Sequence, residues 1–366
     1  MGKKYTRLLI LIVSCYSILS CNSPPATERN DSVAVRDMLG REVYVPSKIN
    51  RIVGLRAGAL RLLVYMDVIG KVAGVEEFER KGTTPYAMAH PELTLLPSVG
   101  PSMGGDAELI VKVQPDVIFI TYTTTGDADA LQQKTGIPVI ALECPELGTA
   151  RDTLFASLKL IGKILNRKGR ADSLIAWINN SIADLNERTA GIPDSERPTV
   201  YIGGVPYSGM RGINSTQPFY PPFIFTNAKN VASSIDKRLI SHVKGTYIDI
   251  EQLMLWNPDI LFIDVSGLSL VRKDLEKGSA LSDQLDAFAN NRIFTLLPYN
   301  NYAVNYELVL ANAWFTGKVI YPDRFRDIDI EEKTNEILRV FMGKDIYKEV
   351  ISSVPVFRQL TKDDFR

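Results

Sequence analysis

The chain has 366 residues, 42 basic and 42 acidic side chains that cancel, and an apolar share of 45%. No run of like charge reaches five residues, which argues against a nucleic-acid or polybasic membrane surface. The apolar share is that of an ordinary globular protein, and the length suits two lobes or domains.

At the N-terminus, Lys3, Lys4 and Arg7 precede an apolar run over Leu8 to Val13 that continues through Ile18 and Leu19. The run is short for a membrane span and fits a secretory signal. It stops at Ile18-Leu19-Ser20-Cys21, which resembles the lipobox of bacterial lipoproteins. That resemblance implies that Cys21 becomes the first mature residue and carries a lipid. Of the three cysteines, Cys15 lies in the segment to be removed, so only Cys144 is left and no internal disulfide is expected. Cys144 itself reads as a buried small hydrophobe.

The polar, Pro-bearing stretch up to residue 32 reads as a tether. Strand patterns follow at Ile52–Leu55, Lys71–Val75, Asp116–Thr121 and Val139–Leu142, with a helical pattern at Ala59–Tyr65. Continuous apolar strands between helices predict parallel layers covered on both faces. Residues 151–190 lack Pro and show helical spacing in two sets, broken at Asn166–Gly169. The second set, from about Lys168 to Thr189, predicts a helix on the order of 30 Å long, enough to cross between lobes. Strands are then expected at Thr199–Gly203, Ile260–Asp264 and Ile293–Leu296, and helices at Tyr306–Tyr321 and Glu331–Met342 close the chain.

The expected fold class is therefore α/β: two Rossmann-like lobes with central parallel-rich sheets, joined by one long bridging helix. The expected organisation is a lipoprotein signal peptide (1–20), a tether (21–32), an N-terminal α/β lobe (33–150), a helical segment with the bridging helix (151–190) and a C-terminal α/β lobe with terminal helices (191–366).

An internal repeat supports two similar lobes. Residues 106–120 and 249–263 match in place at Asp, Glu, Pro, Asp, Phe and Ile, at a constant offset of 143 residues. In each copy the Asp caps a helix start, the Glu two places on suits the positive end of the helix dipole, and the Pro ends the helix before a buried strand. On this reading alone, Glu108 and Glu251 are helix-start acids.

The signal with lipobox, the two lobes, the single bridging helix and the doubled helix-Pro-Asp-strand unit resemble the periplasmic binding proteins of ABC importers for iron siderophores, haem and cobalamin. The resemblance implies a non-enzymatic carrier in the cell envelope, lipid-anchored and facing the periplasm, or the outside in a single-membrane cell. It implies a monomer that delivers cargo to a permease dimer with its ATPase subunits. It also implies that Glu108 and Glu251 dock on that permease, each meeting an arginine.

In such a fold, cargo lies between the lobes near the loops that leave the strand ends. The candidates are Arg56, Ser102 in the Gly100–Gly105 loop, Tyr122, Tyr207, Arg211, Tyr247, and the loop carrying Tyr299, Asn300, Asn301 and Tyr302. Tyr and Asn bond a polar ligand while tolerating apolar neighbours. Arg56 and Arg211 read either as anion-binding groups or as surface arginines beside carboxylates. Phe219, Tyr220, Phe223 and Phe225 read as cleft wall or core.

The protein is expected to need no cofactor. Only His90 and His242 are present, too few for a bare-metal site of the usual His-and-carboxylate type. Trp177, Trp256 and Trp314 sit on helical patterns and read as packing. Cobalamin binders of the family place tryptophan in the cleft, and at one such position this chain has Ser102, which weakens cobalamin. A ferric siderophore is thus the first expectation for cargo, with haem and cobalamin behind it. Molybdate or tungstate is the alternative, since Gly100–Gly105 before a helix forms a plausible anion nest beside Arg56. A solute sensor and an enzyme are the rivals of another class. The Gly-rich stretch 203–212 fails the dinucleotide-loop spacing, and no nucleophile elbow is present.

Overall fold

The computed structural model describes residues 32–207, 209–241, 245–352 and 354–365. Cys21, the signal and nearly all of the tether lie outside the described residues, as does His242.

The chain enters through a hairpin, β1 (Ser32–Arg36) and β2 (Glu42–Pro46). The N-terminal sheet contains β3 (Ile52–Leu55), β4 (Val72–Gly74), β5 (Val117–Ile120) and β6 (Val139–Ala141), all parallel, in the order β4-β3-β5-β6. The second lobe contributes β7 (Thr199–Gly203), β8 (Ser215–Thr216), β9 (Lys229–Asn230), β10 (Thr246–Tyr247), β11 (Ile260–Asp264), β12 (Ile293–Leu296) and β13 (Gln359–Leu360). Its sheet runs β13-β12-β11-β7-β9, and β8 and β10 form a separate antiparallel ribbon.

The apolar strand runs are continuous because both sheet faces are buried. In β5, Val117 and Phe119 face the large central core, while Ile118 and Ile120 face a smaller core that also holds Ile110. In β11, Ile260 and Phe262 face the central core, while Leu261 and Ile263 face a smaller core with Leu253. Ile110 and Leu253 belong to the repeat helices Ala107–Lys112 and Ile250–Trp256, so each repeat supplies one central strand and the helix covering its outer face. Asp106 caps the first helix, accepting from the N–H groups of Glu108 and Leu109 at 2.9 and 3.0 Å. Asp249 stands at the same place without a side-chain cap bond. The residue before each repeat Pro, Gln114 or Asn257, turns left-handed at φ 46° and 39°, which ends the helix.

The bridging helix spans Lys168–Thr189, about 33 Å at the standard rise. Its buried face repeats at helical spacing: Ala171, Leu174, Ile175, Ile178, Ile182 and Leu185. Both ends are tied. Arg170 donates to the carbonyls of Tyr65 and Val340 at 2.7 and 2.6 Å. Arg188 makes a two-pronged pair with Asp327 at 2.7 and 2.8 Å.

Two features differ from expectation. The chain does not close on the helix Ile330–Met342 but returns as β13, antiparallel on the edge of the second sheet; two residues are too few to show alternation. The entry hairpin was also not anticipated, although Val35, Val43 and Val45 are buried. The three tryptophans pack as expected: Trp314 is buried and donates to Ser181 at 3.1 Å, Trp177 meets Phe341 edge-on and Trp256 lies by Tyr201. No described helix is long and apolar enough to cross a membrane.

Candidate ligand-binding cleft

One lip of the cleft is built where β3 and β5 end. Arg56 leaves β3 in the left-handed region at φ 65°, and Tyr122 follows β5 at φ 46°. The Arg56 guanidinium donates to the Tyr122 carbonyl and lies 3.9 Å from Asp127. Its Nε is buried without a partner. Tyr122 is exposed overall, although its hydroxyl turns to the buried Cys144 thiol, and Ser102 is half-buried. Beneath them, Glu76 accepts from the backbone N–H of Arg56 at 2.8 Å and of Gly104 at 2.7 Å.

The other lip is built where β7 ends. Tyr207 is half-buried, and its ring lies 6.5 Å from that of Tyr247. Arg211 donates from Nε to the Tyr247 hydroxyl at 2.8 Å. Gly245, at φ 89°, allows this packing, because a Cβ there would stand 2.5 Å from the Tyr207 ring. Burial first, and Tyr247 second, push the Tyr207 hydroxyl up to about 12, so it stays a donor at neutral pH.

A loop leaving β12 crosses between the lips. Tyr299 is buried, with its hydroxyl on Gln217 and its ring tilted against Tyr220. Asn300 and Asn301 are exposed. Tyr302 turns the other way: its hydroxyl donates to Glu76 at 2.9 Å and its ring stacks on Phe78 at 3.8 Å. Of this Tyr- and Asn-rich stretch, the two asparagines are thus the groups left facing outward, while both tyrosine hydroxyls are engaged by protein. Tyr220, Phe223 and Phe225 belong to the core; Phe219 is exposed.

The sequence reading missed Glu76, Phe78 and Arg61. Arg61 has no exposed surface and donates to the carbonyls of Asn301, Tyr302 and Val304 at 3.1, 2.8 and 3.0 Å. Burial works against its charge, but Tyr86, Tyr65, Glu307 and Glu79 outweigh it, and its pKa lies above the ordinary value. A lone charge inside the apolar helix Ala59–Tyr65 was the available signal, since a buried charge must find partners.

Glu108 and Glu251 are exposed on the two repeat helices. Cys144 is buried, with its thiol 3.6 Å from the Ala57 carbonyl, and burial pushes that thiol up to about 11. His90 sits in a turn, its Nε2 2.8 Å from the Met342 carbonyl.

Residues 52–299 match the family model of periplasmic binding proteins, a stretch that includes both repeats and most of both lips. The chain belongs to the periplasmic binding protein family. Within it, the chain is 24% identical over 333 residues to the molybdate-binding protein MolA of Haemophilus influenzae, covering 84% of this chain and 90% of the relative. The solved structure of MolA with molybdate superimposes with a TM-score of 0.65 at 22% identity, covering 85% of this chain and 98% of that one. The petrobactin-binding protein YclQ of Bacillus subtilis gives 0.57 at 18% identity, covering 80% and 98%. These likenesses establish the shared two-lobed fold. Family membership makes the protein described here a substrate-binding protein of the cell envelope.

Proposed function

We propose that the cleft captures an anionic cargo rich in acceptor oxygens and that the protein hands it to a membrane permease without chemical turnover. One observation carries this reading. Each lip contributes an arginine set among tyrosines: Arg56 with a buried, unpartnered Nε, and Arg211 steadied by Tyr247. Charge-assisted donors of this kind suit oxyanions and the anionic faces of metal chelates alike. A compact oxyanion of the molybdate class is the first reading, supported by the MolA relative. A ferric siderophore is the second, supported by the petrobactin-binding neighbour. Ser102, Tyr122, Tyr207, Tyr247, Asn300 and Asn301 would complete the contacts. The proposed setting is a monomer held to the membrane by a lipid on Cys21, docking through Glu108 and Glu251.

The test is thermal and calorimetric titration with molybdate, tungstate, ferric siderophores, haem and cobalamin. A cargo at a hundredfold over its dissociation constant should add about 2.7 kcal/mol of stability. Arg56→Ala and Arg211→Ala should each weaken the anion and leave the melting temperature nearly unchanged. Tight binding of cobalamin with no response to any anion, or full anion affinity in both variants, would overturn the reading.

A further inference from the structure

We propose that Glu76 is the positioning residue of the cleft: without touching cargo, its carboxylate locks the Arg56 turn, the Gly104 turn and the tip of the crossing loop into one rigid unit. The proposal rests on the reading of the cleft as an anion site, and it deepens that reading.

The carboxylate has no exposed surface and meets three donors from three separate segments. Oε2 takes the Arg56 N–H at 2.8 Å and the Tyr302 hydroxyl at 2.9 Å, and Oε1 takes the Gly104 N–H at 2.7 Å. A desolvated carboxylate is costly unless it is bonded, so the three donors and the acid need one another. All three segments are strained: Arg56, Met103, Tyr302 and Ala303 hold φ 65°, 71°, 51° and 67°, a region that side-chain-bearing residues enter only at a cost. Such turns persist where surrounding bonds over-determine them, and Glu76 supplies a bond at Arg56 and one at the residue after Met103. Arg56 is the cation of this lip, so the direction of its side chain depends on a backbone that Glu76 holds.

The third donor comes from the other lobe. The crossing loop follows β12 in sequence, yet its tip is fastened to the N-terminal lobe. Arg61 grips three of its carbonyls, Phe78 stacks on Tyr302, and Asn305 braces it internally through the carbonyls of Tyr299 and Asn301 at 2.9 and 3.0 Å. The tip therefore travels with the N-terminal lobe. The Arg56 turn and the tip of the crossing loop are held by the same carboxylate.

Glu76→Gln separates these roles from simple packing. An amide offers one acceptor oxygen, so either the Gly104 or the Arg56 N–H would face an NH2 group. In the intact, unliganded chain, amide exchange in Glu76→Gln should quicken about tenfold at Arg56, at Gly104 and across 299–305 together, while the amides of β7 stay protected. With molybdate as probe, affinity should fall about tenfold, and Glu76→Gln should cost clearly less in an Arg56→Ala background than in the wild type, because part of its effect runs through Arg56. If Glu76→Gln does not fold, Tyr302→Phe carries the exchange test: it removes one donor, leaves the acid on two amides, and should still quicken exchange at Arg56 and Gly104. Unchanged exchange in these segments, or effects of Glu76→Gln and Arg56→Ala that add in full, would overturn the proposal. If the wild type binds no molybdate, the exchange result alone decides the role of Glu76, and the cargo reading fails separately.

Discussion

Asp116 and Asp259, 143 residues apart, make equivalent bonds in the two lobes. Asp116 accepts the N–H groups of Asn50 and Arg51 at 2.7 and 2.9 Å, just ahead of β3. Asp259 accepts the N–H and hydroxyl of Thr199 at 2.6 and 2.7 Å, at the first residue of β7. The Asp of each Pro-Asp corner thus pins its own central strand to the neighbour it pairs with.

Removing either carboxylate should loosen its own sheet. Asp116→Ala and Asp259→Ala should each lower unfolding stability by about 1.5–3 kcal/mol, the range for a lost hydrogen bond to a charged group. Urea titration checks this, and changes below a few tenths of a kcal/mol in both would mean that the corner is held by packing alone.

Asp264 gives the stability a pH dependence. Burial raises its carboxyl to about 7, against the opposing bonds from Ser266. In the unfolded chain this acid ionises near pH 4, so between about pH 4 and 7 the folded state holds a proton that the unfolded state has released. The contribution is complete below pH 4 and is lost as pH rises toward 7. Asp264→Asn, which can still accept from the Ser266 N–H, should flatten this loss and leave the variant more stable than wild type at pH 8. Urea midpoints from pH 4 to 8 decide it; a parallel shift of both curves would contradict the assignment.

The bridging helix limits how the lobes move. Arg170 and Arg188 tie its two ends, and one tied helix resists the wide closure that flexible crossing strands permit. Paired spin labels, one per lobe, should report only a small distance change on adding cargo. A reorientation of tens of degrees would show that the hinge lies elsewhere.

Glu108 and Glu251 stand exposed at equivalent places in the two repeats. Exposed acids add little to folding, so any selective value lies in orienting an encounter. Glu108→Ala with Glu251→Ala should leave the melting temperature and cargo affinity nearly unchanged while uptake by cells falls sharply. Replacing both with Lys should be worse, and full uptake by that variant would return them to plain helix-start acids.

Much of this protein was legible from the chain alone because its signals are local. Four apolar residues in a row at Val117–Ile120 announce a strand buried on both faces, and the 3.6-residue spacing from Ala171 to Leu185 announces the bridging helix. The repeat at an offset of 143 residues declares two similar lobes. The cleft was legible only in outline. That Arg56 and Arg211 belong to different lobes followed from their places after β3 and β7. That Tyr302 turns from the cleft to Glu76, 226 residues away, did not. Nor did the grip of Arg61 on a loop 241 residues downstream. A hydroxyl or guanidinium carries no record in its own neighbourhood of which distant acceptor will satisfy it. Only the packed tertiary structure, where nearly all buried polar groups find partners, decides that pairing.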